Sequence, residues 1–187
     1  MAKRERRFVA LLRGVNVGGH DQLPMAELRA ALAALPLRQV GTYIQSGNVV
    51  FVSALGASAI ERHLAGTLRE HFGLQVPIVV RDGDQWHALI DGNPFAEQAQ
   101  GAPNRVQVGV AKQPLAADAA IQLQALASRG ELVLAADQAL WLHYPAGIAE
   151  TKLTPARLDR CAGSSVTTRN WRTVLKLQAM ILSLAVT

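Results

Sequence analysis

The stretch Val40-Gly-Thr-Tyr-Ile-Gln-Ser-Gly-Asn-Val-Val-Phe-Val-Ser53 decides the fold. Its two β-prone runs, residues 40–45 and 48–53, meet at Ser46-Gly47, and a link that short makes them a hairpin. Upstream, residues 8–13 alternate as a strand, and a ten-residue loop with three glycines follows. Pro24 then opens a helix with Met25, Leu28, Leu32 and Leu35 on one face. Downstream, Ser58 and Glu61 read as a capping box ahead of Ile60, Leu64, Leu68 and Phe72, and Gly73 stands where a helix C-cap belongs. Residues 76–81 make a fourth strand. The order βαββαβ over residues 6–81 is the ferredoxin-like unit.

The second half repeats that order. A connector carries a short helix with Asp84 as N-cap and Trp86, Leu89 and Ile90 inward, and Gly92-Asn-Pro94 breaks it. Residues 105–111 then read as a strand and 116–128 as an alanine-rich helix stopped by Gly130. Residues 131–135 and 139–144 form another hairpin around Asp137-Gln138. Thr154-Pro155 starts a helix ending near Gly163, and 165–167 is a short closing strand. Residues 170–186 make a final helix whose apolar arc, from Trp171 to Leu184, is too broad for a face half in water. The expected architecture is α+β: two ferredoxin-like halves with antiparallel sheets, plus a C-terminal helix. The expected segments are 1–82, a connector 83–103, a second half 104–168, and the helix 169–187. Both alternating faces of residues 8–12 and 49–52 are apolar, so something must cover the sheet side that the helices leave bare. The other half of the chain is the economical cover; a second copy would serve equally well.

Length and composition bound the function. A chain of 187 residues with 50% hydrophobic side chains can build an ordinary core without disulfides. Cys161 is the lone cysteine, which excludes a disulfide framework and multi-cysteine metal sites. The basic start is followed by only a short apolar run, too short for a signal peptide, and no apolar run is long enough to span a bilayer. A soluble cytoplasmic protein is expected. The net charge of +5 divides into +4 over residues 1–13, −4 over 14–150 and +5 over 151–187. Basic ends around an acidic middle mark an anion-binding face if the fold joins them, and solvated termini if it does not.

Two places carry candidate chemistry. The loop after the first strand leaves the sheet at the end where the hairpin turns, so Arg13, Asn16, Gly18 and Gly19 are expected beside Gln45, Ser46 and Asn48. The loop exceeds the roughly two to six residues usual for a strand-to-helix link. Glycines there let backbone N–H groups form an anion nest ahead of a helix. The alternative is structural, with glycines serving tight turns and the hairpin residues satisfying the loop backbone. Gly14 and Gly19 have P-loop spacing, but His20-Asp21 replaces the required Lys-Ser/Thr, which excludes a Walker-type NTPase. The second place is Thr168, Arg169 and Asn170, expected at a helix start, with Lys152 and Thr154 at another. Ordinary capping is the competing account, with Trp171 in the core and Arg172 in solvent.

Other templates fit poorly. The five histidines show no zinc-hydrolase spacing. His20 is the candidate acid or base, and Cys161 reads as a small buried thiol. Aromatics are 5% of the chain, and the first and third strands offer only Phe8 and Phe51, so an RNA stacking platform is not supported. A phosphate-only mode through Arg13, Lys152, Arg169, Arg172 and Lys176 is the nucleic-acid alternative.

The runs Val9-Ala-Leu-Leu-Arg-Gly-Val-Asn-Val-Gly-Gly-His20, Thr42-Tyr-Ile-Gln-Ser-Gly-Asn-Val-Val-Phe51 and Thr168-Arg-Asn-Trp-Arg-Thr173, with Lys152-Leu-Thr154, resemble the bacterial family catalogued as domain of unknown function 1697. The resemblance runs nearly end to end. It implies the same duplicated ferredoxin-like architecture and brings no activity, cofactor or catalytic residue. The expectation for function is therefore binding of a small anionic or phosphate-bearing ligand in a cleft between the halves. Its residues are Arg13, Asn16, Gly18, Gly19, Gln45, Ser46, Asn48, Lys152, Thr168, Arg169 and Asn170, with no cofactor and no metal. The alternatives are a homodimeric or protein-interaction module, phosphate-backbone binding of nucleic acid, and an enzyme using His20.

Overall fold

The computed structural model describes residues 4–19, 22–136 and 138–186. His20, Asp21 and Asp137 lie outside the described residues, and with them the expected acid or base and half of the second hairpin turn. The elements are β1 (Arg6–Leu12), α1 (Met25–Leu32), β2 (Arg38–Tyr43), β3 (Asn48–Ser53), α2 (Ala57–Phe72), β4 (Ile78–Asp82), α3 (Gly83–Asp91) and α4 (Ala96–Gly101). They continue as β5 (Val106–Ala111), α5 (Ala119–Leu126), β6 (Leu132–Ala136), β7 (Ala139–His143), α6 (Pro155–Ala162), β8 (Val166–Asn170) and α7 (Trp171–Leu182). Two four-stranded sheets result, ordered β2-β3-β1-β4 and β6-β7-β5-β8, with antiparallel neighbours throughout. This is α+β with the ferredoxin-like order twice. No helix of the described residues is long and apolar enough to cross a membrane.

By internal contacts the chain forms two units, one from residues up to His87 together with those from Lys176 onward, the other Ala88–Leu175. In the first unit the helix-facing side of the sheet presents Phe8, Ala10, Leu12, Val49, Phe51, Ile78 and Val80 to Leu28 and Leu32 of α1 and Ile60, Leu64 and Leu68 of α2. Phe8 and Phe51 face each other across β1 and β3 with stacked rings 5.8 Å apart. Each large side chain removed from water contributes about 1.5–3 kcal/mol. The opposite side, with Val9, Leu11, Val50 and Val52, is equally buried. Part of its cover is the end of α7. There the Met180 methyl lies over β2, 3.4 Å from where a Cβ at position 41 would stand. The Arg7 guanidinium donates to the Leu184 carbonyl at 2.9 Å, and the Gln39 amide both donates to and accepts from the Ala185 backbone.

The helix starts differ from the sequence expectation in an instructive way. The N-cap of α2 is Gly56, without a side-chain cap bond, and Ser58 already lies inside the first turn. Glu61 accepts from the Val80 backbone N–H of β4 at 3.2 Å. The cap of α3 is Asp82 rather than Asp84. The Asp82 carboxylate accepts from the Gln85 N–H at 3.0 Å and the Gln85 side chain accepts from the Asp82 N–H at 3.1 Å, a reciprocal capping box. Beyond Gly92-Asn-Pro94 a second short helix, α4, precedes β5, and α5 is shorter than its alanine-rich sequence suggests.

In the second unit Ala111, Leu140, Leu142 and Val166 of the sheet pack against Leu123 of α5 and Leu158, Cys161 and Ala162 of α6. Its other side holds Trp141 and Trp171 with rings 5.7 Å apart. Glu131, 2% exposed, ties three segments together. Its carboxylate accepts from the Ser128 and Arg129 backbone N–H groups at 2.9 and 2.7 Å and from the Thr151 hydroxyl at 2.7 Å. Burial works to raise its pKa, but these hydrogen bonds outweigh it and hold the carboxyl at about 2.

A carboxylate depressed in the folded state adds stability above its unfolded pKa and loses it as pH falls through the folded value. Urea unfolding from pH 7 to pH 2 should show the stability gap between the wild type and Glu131→Gln narrowing between the ordinary carboxylate range and about pH 2. A gap independent of pH would contradict this role.

Candidate functional site

The glycine loop of the first unit begins where β1 ends. The Leu12 N–H donates to the Gly47 carbonyl at 2.8 Å and the Arg13 N–H to the Pro77 carbonyl at 3.0 Å, so the loop leaves the sheet beside the β2–β3 turn. Asn16 is its clamp. Its Nδ2 donates to the Leu23 carbonyl at 2.9 Å and the Gln45 carbonyl at 2.7 Å, and its Oδ1 accepts from the Leu23 N–H at 2.7 Å. One side chain thus joins the start of the loop, its end and the hairpin. Asn16 itself has φ +57°, a region that asparagine tolerates better than most residues.

The hairpin turn is held from within. Asn48, fully buried, donates through Nδ2 to the Tyr43 carbonyl at 3.1 Å and the Ser46 hydroxyl at 2.9 Å. Gly47 has φ +73°, and a Cβ there would stand 2.6 Å from a Val15 methyl and 2.7 Å from the Leu12 Cβ, so only glycine fits. The glycines of the loop differ. Gly14, Gly18 and Gly19 also have positive φ, yet among the described residues nothing lies within 4 Å of a Cβ placed on any of them. Gly19 lines a shallow concavity with Asn16, Gln22, Leu23, Pro24 and Gln45. Arg13, Asn16, Gly18, Gly19, Gln45, Ser46 and Asn48 are therefore drawn to one end of the first sheet, with Asn16, Gln45, Ser46 and Asn48 also serving the loop and turn backbone.

The remaining candidates belong to the second unit. Thr168, Arg169 and Asn170 are the end of β8, not a helix start, because β5 continues to pair with them at Gly109, Val108 and Gln107. Successive strand residues face opposite sides of the sheet, so these three do not converge. Thr168 lines a pocket with Thr154, Leu158 and Gln107. Arg169 donates to the Thr168 carbonyl at 2.8 Å, and burial lowers its pKa to about 10. Asn170 caps α7 by accepting from the Thr173 N–H at 2.9 Å, so capping is part of its role. The Lys152 carbonyl accepts from the Arg157 guanidinium at 2.9 Å.

One relation escaped sequence reading. Arg81 of β4 stands opposite Val9 of β1 as Arg169 stands opposite Val108 of β5. Each guanidinium donates to the carbonyl of the residue before it, and each is followed by an Asx residue that caps the next helix. Burial lowers the Arg81 pKa too, with Glu61 and Asp82 opposing. The visible signal was Arg-Asp at 81–82 and Arg-Asn at 169–170, a two-residue echo between halves that otherwise differ. Among the described residues no three His, Cys, Asp or Glu side chains gather closely enough to hold a metal ion.

Comparison with known proteins agrees with this architecture. The model of a family described as "Protein of unknown function (DUF1697)" matches residues 6–141. A solved structure of a conserved bacterial protein from Streptococcus pneumoniae is similar with a TM-score of 0.74 and 23% identity, over 95% of this chain and 99% of that one. At that identity the likeness speaks for the fold alone. No curated protein matches.

Two glycine substitutions separate packing from exposure at this site. Gly47→Ala should cost about 3 kcal/mol or more in urea unfolding, through strain and the overlap with Leu12 and Val15. Gly18→Ala, equally positive in φ but open, should cost only about 1 kcal/mol. Equal losses would contradict the close approach at Gly47.

Proposed function

The chain belongs to the DUF1697 family of proteins of unknown function, and on that premise we propose that it binds a small anionic or phosphate-bearing ligand at the glycine loop of its first unit. The observation that carries this reading is the Asn16 clamp. It ties Leu23 and the Gln45 carbonyl to the start of a loop whose Gly18 and Gly19 have positive φ and meet no described atom within 4 Å of an added Cβ. A backbone held in advance loses little entropy when a ligand docks, and successive N–H groups of such a turn attract negative charge. Arg13 supplies the formal charge next to the loop, while Gln45, Ser46 and Asn48 shape the facing turn.

Of the second-unit candidates, Asn170 is occupied as a helix cap and Arg169 is partly buried and engaged by a carbonyl, which favours the first-unit loop as the place for an anion. Nucleic acid is the weaker reading, since the central strands of the first sheet offer only Phe8 and Phe51, both fully buried. No reaction is assigned.

Thermal unfolding in a panel of inorganic phosphate, sugar phosphates and dicarboxylates tests the proposal. A ligand at about a hundred times its dissociation constant should stabilise by roughly 2.7 kcal/mol. Arg13→Ala and Asn16→Ala should each remove most of that shift. No shift with any anion, or a shift that survives both substitutions, would overturn the reading. Binding to oligonucleotides with a steep loss of affinity in salt would favour the nucleic-acid reading instead.

A further inference from the structure

The second unit contains a pocket of about 300 Å³ between its sheet and α6, lined by the polar side chains of Gln107, Tyr144, Thr154 and Thr168 over the apolar Leu153 and Leu158. We propose that this pocket binds a neutral polyhydroxylated molecule of roughly monosaccharide size.

The first argument comes from the internal repeat. Ladder register makes Gln107 the counterpart of Phe8, Leu142 of Phe51, Thr168 of Val80 and Tyr144 of Ser53. In the first unit Phe8, Phe51 and Val80 are at most 2% exposed, and the Ser53 hydroxyl donates to the Pro36 carbonyl at 2.9 Å. That position is packed shut. In the second unit the same inward positions carry an amide and a hydroxyl, which a core accepts only where hydrogen-bond partners are available. A pocket lies there in place of the aromatic pair.

The second argument is Tyr144. The residue is 3% exposed and lines the pocket. Burial raises its pKa, so it is a neutral donor and acceptor at physiological pH. A phenol at the wall of a cavity brings a hydroxyl that can both donate to and accept from a solute that enters.

The chemistry of the lining selects the class. Tyrosine, threonine and glutamine side chains all both donate and accept, as the hydroxyls of a polyol do. The apolar wall suits the C–H face of such a molecule. An anion is disfavoured. No cationic side chain lines the pocket, Glu131 lies close enough to raise the Tyr144 pKa further, and the Arg157 and Leu158 N–H groups at the start of α6 already donate to the Thr154 carbonyl.

The test is saturation-transfer NMR and calorimetric titration of the full chain with D-ribose, D-glucose and myo-inositol. Uracil and glucose 6-phosphate serve as planar and anionic comparisons. Saturable binding of at least one neutral polyol is expected, weakened about tenfold or more by Thr168→Val and by Gln107→Leu. Thr168→Val restores the residue type found at position 80 and should leave the fold intact by circular dichroism. No polyol binding by the wild type up to about 50 mM, far above a millimolar dissociation constant, would overturn the proposal. So would polyol binding indifferent to both substitutions, or a preference for uracil or the phosphate ester.

Discussion

The period of two along β1 and β5, locked by antiparallel pairing on both edges, is the constraint on which both candidate sites depend. Leu11 opposite Asn48 and Leu12 opposite Ile78 set where β1 ends, and hence where the glycine loop leaves the sheet. Gly47, beneath Leu12 and Val15, keeps the hairpin turn against that exit. In the second sheet the same pairing places Gln107 and Thr168 on the helix-facing side and Arg169 on the other. A slip of one residue would reverse every one of these assignments, turning the pocket lining outward and a guanidinium into the core.

The frame was legible in sequence because it rests on such periodicity. Hairpins at 40–53 and 131–144, two crossover helices in each half and the glycine stops at 73 and 163 all find their elements, since hydrophobic spacing and left-handed caps are local signals. What escaped local reading depends on neighbours distant in sequence. Glu61 resembles a capping-box residue, yet the helix starts at Gly56 and β4 offers Glu61 a backbone N–H. Residues 168–170 resemble a helix start because they are polar and precede Trp171, yet β5 has a free edge that they complete. The loop clamp was only half legible. Proximity of Asn16 to Gln45 followed from topology, whereas the use of the Gln45 carbonyl rather than its side chain did not.

The two proposed sites call for different ligand chemistry because their linings differ. At the glycine loop the described lining is Asn16, Gly19, Gln22, Leu23, Pro24 and Gln45, with Arg13 adjoining, and the anion proposed there would be met by backbone and charge at the rim of a sheet. In the second unit the lining residues are neutral, between strand and helix, and the Glu131 carboxylate that acts on Tyr144 is already occupied by Thr151 and two N–H groups. Duplication gives each unit the same scaffold. Replacing Phe8 and Val80 in one copy by Gln107 and Thr168 in the other changes a packed core corner into a polar pocket without altering strand order.

The most direct measurement of that contrast is a crystal structure of the full chain grown with myo-inositol. A polyol seated in the second unit with oxygens within hydrogen-bond distance of the Tyr144 and Thr168 hydroxyls, and none at the corner filled by Phe8 and Phe51, is the predicted result. A pocket closed by Gln107 bonding directly to Tyr144, with no space for a solute, would contradict it.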